Sequence, residues 1–274
     1  MTAAPHAIVV PDDVLWRVPF EALPVEAGVL ADRTTVMYAE SATSLVRAPE
    51  ARTGADTTGP VLIVAAPQLP ETTRERVKAT SPGWTLPADR GVDADVGSIA
   101  RLFDVDATTL SGAAATEASL RGRAAAASIL HIAAPFRING GSPLFSPILL
   151  ASDPAASDPA AENDGVLEMR EVMNLDLRAR TAILSDGGTA SRRGAAPSAG
   201  IVRWAWRAAG VPTLVLSRWE TDPAESTAML KELYAGLREF ELPEDALQRA
   251  RAAVRAGEGT RAPYYWAGWM VVGR

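Results

Sequence analysis

The densest group of reactive side chains in this chain is a short one, "LSDGGTAS" at residues 184–191. It offers the hydroxyls of Ser185, Thr189 and Ser191 and the carboxylate of Asp186, set around Gly187 and Gly188. A hydroxyl becomes a nucleophile only beside a base and a site for the developing oxyanion. The chain has two histidines, His6 and His131, and no cysteine. His131, in "SILHIAAPF", lies within a strand pattern and is the candidate base. A hydrolase built on Ser185 or Thr189 with His131 is therefore one reading, although no G-x-S-x-G elbow surrounds either hydroxyl. The other reading makes Ser185 an ordinary structural serine and His131 a buried, hydrogen-bonded core histidine. Asp186 likewise has two readings. It recognises a basic group of a partner, or it starts the Gly-Gly loop as an Asx-turn residue.

Other chemistries find little support. The absence of cysteine excludes disulfides, thiolate metal sites and a cysteine nucleophile. Two histidines make a zinc site improbable, so no metal and no cofactor is expected. Gly187, Gly188 and Gly194 match neither G-x-G-x-x-G nor a P-loop, and no lysine follows them. The net charge is −6, and "RGR" (121–123) and "RRG" (192–194) are too short to track a phosphate backbone, so nucleic acid is not an expected partner. No apolar run approaches a membrane span, and "MTAAPHAIVVPDD" has no signal core. A cytoplasmic protein without membrane contact is expected. The seven tryptophans are read as mostly core.

The elements that must position these residues alternate in type. Apolar runs at 7–12, 34–40, 61–67, 128–134, 182–185, 213–219 and 265–272 predict strands. Most are continuous rather than alternating, as in parallel sheets covered on both faces. Helices are predicted at 198–210, stopped at Gly210, at 222–240, capped by Asp222, and at 243–257, with weaker signals at 96–103 and 116–126. In the first of these, Ile201, Val202, Ala205, Ala208 and Ala209 share one face. Loops fall at 50–59 and in the acidic stretch 152–165, "SDPAASDPAAENDG", expected to be mobile. No domain boundary is visible, so 1–274 is read as a single domain.

At this level of detail the sequence resembles the CHAT domain, a family of caspase-like peptidase domains. The resemblance runs through "VVPDDVLWRVPFEAL" (9–23), "SPLFSPILLA" (142–151), "DGVLEMREVMNLDL" (164–177), "GIVRWAWRAAGVPTLVLSRWETDPAESTAMLKELYAGL" (200–237), "ALQRARAAVRA" (246–256) and "PYYWAGWMVVG" (263–273). It implies an α/β fold, a three-layer α/β/α sandwich with a central, mostly parallel sheet and helices on both faces. It also implies a catalytic His and Cys at the carboxyl ends of two neighbouring strands. The family's His closes a pattern like His-hydrophobic-Ala-Thr-His-Gly; "HIAAPF" keeps the first His as His131 and puts Pro135 at the catalytic position. The family's Cys follows Leu-Ser-Ala; "LSDGGT" puts Gly187 there.

Neither residue can do the work. Glycine has no side chain, and proline has neither a titratable group nor an N–H. The expectation is a pseudo-peptidase whose crevice around 135–141 and 185–191 binds a protein or peptide, with His131, Asp186, Gly188 and Thr189 as candidate lining residues. Family members usually follow helical repeats, whereas this chain opens directly on the first strand pattern. A helical-repeat protein or an active CHAT protein on a separate polypeptide is therefore an expected partner.

Overall fold

A computed structural model describes residues 6–46, 59–80, 84, 86, 107–153, 163–185, 187–188, 199–219, 223–239 and 241–273. The chain opens with β1 (His6–Val9), followed by a segment carrying three 3-10 turns at Asp13–Arg17, Phe20–Ala22 and Leu30–Asp32. Then come β2 (Thr35–Tyr38), α1 (Ala42–Val46), β3 (Val61–Pro67), α2 (Glu71–Thr80), β4 (Ala107–Gly112), α3 (Glu117–Ala124) and β5 (Ile129–Ala133). Next are β6 (Phe136–Arg137), a 3-10 turn at Pro143–Phe145, β7 (Pro147–Leu149), β8 (Val166–Glu168), α4 (Met169–Val172), β9 (Thr181–Leu184) and β10 (Gly187–Gly188). The chain ends with α5 (Ala199–Ala208), β11 (Thr213–Ser217), α6 (Pro223–Arg238), α7 (Pro243–Ala256), α8 (Pro263–Trp266) and β12 (Trp269–Val272).

Eight strands form one sheet in the order β1-β2-β12-β11-β9-β5-β3-β4. All its pairings are parallel except β11 with β12. Successive side chains along a strand point to opposite faces, and here both faces are apolar. Leu62, Val64, Leu130, Ile132, Ala182, Leu184, Leu214 and Leu216 pack on one side with Leu120 of α3 and Val202, Ala205 and Trp206 of α5. Val61, Ile63, Ile129, Ile183, Val215 and Val271 pack on the other with Leu233, Tyr234 and Leu237 of α6 and Leu247 and Val254 of α7. Helices thus cover both faces of a mostly parallel sheet, and the continuous apolar strands follow from that double cover.

Several local signals act as expected. α5 stops at Gly210, whose φ of +105° suits glycine; a Cβ there would stand 2.3 Å from the Leu177 carbonyl oxygen. Thr116 caps α3 by accepting from the Ser119 amide. Three expectations need correction. The run 265–272 is not one strand: Pro263 starts a short helix, and only Trp269–Val272 joins the sheet. Ala208 is exposed, and Trp206 takes the core position on α5. Trp204 is 51% exposed rather than core. The expected Asp222 cap, the weak helix at 96–103 and most of the loops at 50–59 and 152–165 lie outside the described residues.

Candidate active site

Neighbouring parallel strands end at the same edge of a sheet, and ligands of such folds bind there. The two central strands β5 and β9 are paired in register from Ile129↔Thr181 to Ile132↔Leu184. The ladder continues past β9, where the Ser185 amide donates to the Ile132 carbonyl at 3.2 Å. Both chains then enter a second, four-stranded sheet of order β10-β6-β7-β8. Within it β10 and β6 pair in parallel, with Gly187 opposite Phe136 and Gly188 opposite Arg137. Pro135, next to Phe136, is buried, and its carbonyl accepts from the Leu149 amide at 2.8 Å. Pro135 and Gly187, 52 positions apart in sequence, thus stand within one residue of register of each other.

His131 lies mid-strand on β5, directed to the α6 face. It is fully buried, its ring 5.8 Å from that of Tyr234. Its Nε2 is 2.7 Å from Ser185 Oγ. Its Nδ1 has no hydrogen-bond partner among the described residues. Burial pushes the imidazole down to about 3, and no nearby carboxylate opposes that shift. The drop from 6.5 corresponds to roughly 5 kcal/mol against protonation. Distance alone therefore makes a serine–histidine pair, while the electrostatics give an imidazole that stays neutral. A triad base needs a partner that steadies its cation; this one has an aromatic ring and apolar walls.

Gly188 stands beside Arg137 in the small sheet. Asp186, Thr189 and Ser191 lie outside the described residues. Among the described residues, no three His, Cys, Asp or Glu side chains are grouped to hold a metal ion. No described helix is long and apolar enough to cross a membrane.

A second polar cluster sits at the same end of the sheet, and its members were not singled out from the sequence. Arg218 directly follows β11. It and Arg251 of α7 each donate to Glu21 Oε1 at 3.0 Å, and the Tyr38 hydroxyl donates to Glu21 Oε2 at 2.5 Å. The Arg218 guanidinium lies 4.6 Å over the Tyr38 ring, and Arg251 also donates to the Trp269 carbonyl at 2.6 Å. Glu21 is completely buried and both arginines nearly so. Burial alone would raise the Glu21 carboxyl, but Arg218, Arg251 and the Tyr38 hydroxyl offset it and hold the group below its ordinary value. Glu21 sits in "PFEAL" and Arg218 in "LSRW", so the network ties the N-terminal segment to the strand ends. A glutamate in a run otherwise rich in apolar residues was the available signal.

A mostly parallel sheet flanked by helices on both faces is the architecture of the caspase-like fold. The CHAT domain family model matches residues 2–274, and the chain belongs to that family. Crystal structures of the Saccharomyces cerevisiae separase–securin complex at 3.0 and 2.6 angstrom resolution share its fold. They match 98% of this chain with TM-scores of 0.59 and 0.56 and sequence identities of 13% and 11%. This chain spans only 15% and 16% of those chains. No curated protein matches it.

Proposed function

We propose that this CHAT domain is a pseudo-peptidase that binds a protein or peptide at the carboxyl ends of β5 and β9, acting as a scaffold or regulator. The observation that carries the reading is the pairing of Gly187 with Phe136. It brings together the two positions that match the family's nucleophile and base, and they hold glycine and proline in a chain without cysteine. Asp186, Gly188 and Thr189 are the side of the crevice to test, while His131, fully buried, can act on it only from behind. The fold neighbours are complexes of a separase with securin, which supports a protein as the class of partner. A helical-repeat protein or an active CHAT protein fits that class, and the cytoplasm is the proposed compartment.

The 2.7 Å contact of His131 with Ser185 favours a second reading, a hydrolase with a relocated nucleophile. A neutral imidazole held near 3 by burial weighs against it, because a general base works best with a pKa near working pH. Incubation with peptide libraries separates the two. The pseudo-peptidase gives no cleavage; cleavage lost in both Ser185→Ala and His131→Gln establishes the hydrolase. Affinity capture from the native cell, repeated with Asp186→Ala and Gly187→Trp, locates the binding surface. Partners lost in either variant place it at the crevice, and unchanged partners place it elsewhere.

A further inference from the structure

Two sheets meet at the strand ends, and the junction has a weak point. β9 runs into Gly187 and Gly188, which form β10. Glycine restricts its own backbone least of all residues, so a Gly-Gly strand cannot set its own direction. Something upstream must do so. Ser185 is gripped twice there: its amide by the Ile132 carbonyl at 3.2 Å and its hydroxyl by His131 Nε2 at 2.7 Å. The imidazole is itself fixed, sealed inside β5 and against the Tyr234 ring. Resting on the reading of these strand ends as a binding crevice, we infer that His131 is a positioning residue for it. The buried ring is a strut that fixes Ser185, and through it the path on which β10 meets β6. The Ser185 hydroxyl is then a structural partner and not a nucleophile.

The test is amide hydrogen exchange of the full chain. Ser185→Ala removes the hydroxyl with almost no change in volume. Exchange at Phe136, Arg137, Gly187 and Gly188 should rise roughly five- to tenfold, while Val64 in β3 and Leu247 in α7 stay unchanged. Ser185→Thr, which keeps the hydroxyl, should restore protection to within about twofold. His131→Leu should reproduce the local acceleration from the other side of the bond. Unchanged exchange at β6 and β10 in Ser185→Ala overturns the inference, as does uniform acceleration across the chain. No partner or substrate enters this measurement, so its outcome is separate from that of the pseudo-peptidase reading, which peptide cleavage decides.

Discussion

Two buried polar groups lie at the same edge of the sheet, and they have opposite electrostatics. At the carboxyl end of β11, Glu21 is paired inside the protein with Arg218 and Arg251, each 3.0 Å away. Inside β5, beside the exit of β9, His131 has a single hydroxyl partner among the described residues, and burial keeps it neutral. Burying ions costs several kcal/mol each, and a fold keeps them where partners and hydrogen bonds compensate. The first group is a staple between the N-terminal segment, β11 and α7. The second sits where the family resemblance places proton-transfer chemistry, yet it is organised to hold a loop. Perturbed ionisable groups in a cleft suggest function. Here the charged set is the structural one, and the site-like set holds an imidazole that burial keeps neutral.

The contrast can be broken by mutation, and the largest effect belongs to the charged group. Glu21→Gln leaves two buried guanidiniums without their shared anion and should lower stability by about 3–5 kcal/mol in chemical denaturation. Arg251→Met should cost less, because Glu21 and Arg218 remain as a balanced pair. Equal costs for the two variants would show that net charge does not govern the cluster.

The next effect is one of pH. The His131 imidazole is lowered from 6.5 in the unfolded chain to about 3 in the folded one. Below pH 6.5 the unfolded chain therefore binds a proton that the folded chain refuses. The stability that His131 contributes is complete above pH 6.5 and is lost as the pH falls toward 3. Between neutral pH and pH 5 the loss should be about 2 kcal/mol. Glu21, also lowered, adds to acid sensitivity only below its ordinary range, while buried Glu117, raised by burial and by Glu171, acts in the opposite sense. The difference between the parent and His131→Gln isolates the histidine: the variant should lose that slope from pH 6.5 to 5. A slope that survives in the variant would mean the imidazole is not neutral.

Ser185→Ala gives the smallest global effect, about 1 kcal/mol, because the bond it removes is uncharged and lies at a strand exit. A loss as large as that of Glu21→Gln would make the strand-end group a second staple and erase the contrast.

Much of the frame was legible in the sequence. β3 falls at Val61–Pro67, where the continuous run "VLIVAAP" predicts it, because a strand covered on both faces has no polar side to interrupt the pattern. α6 and α7 carry long apolar stripes and proline starts and were equally visible. α2 was not, since only Thr73 and Val77 are buried along it. The edge strand β4 buries only Leu110. The small sheet is built from strands of two or three residues, too short for any period to register. At the site, the interest in Pro135 and Gly187 came from resemblance, and the pairing of Gly187 with Phe136 came from the fold. The Glu21 network had one weak signal, a glutamate inside the apolar run "PFEAL", and its partners had none. Its members are 197 and 230 positions apart, and each arginine alone looks like a solvated surface charge.

The central claim is that Gly187 and Pro135 are the empty halves of one site. A chain without cysteine allows a clean test. Gly187→Cys introduces a single thiol, and its alkylation rate against pH reports its pKa. Adding Pro135→His should lower that pKa from about 8.5 to about 7 or below, because position 135 directly precedes Phe136, the register partner of Gly187. A thiol pKa that is the same with and without Pro135→His would contradict the account.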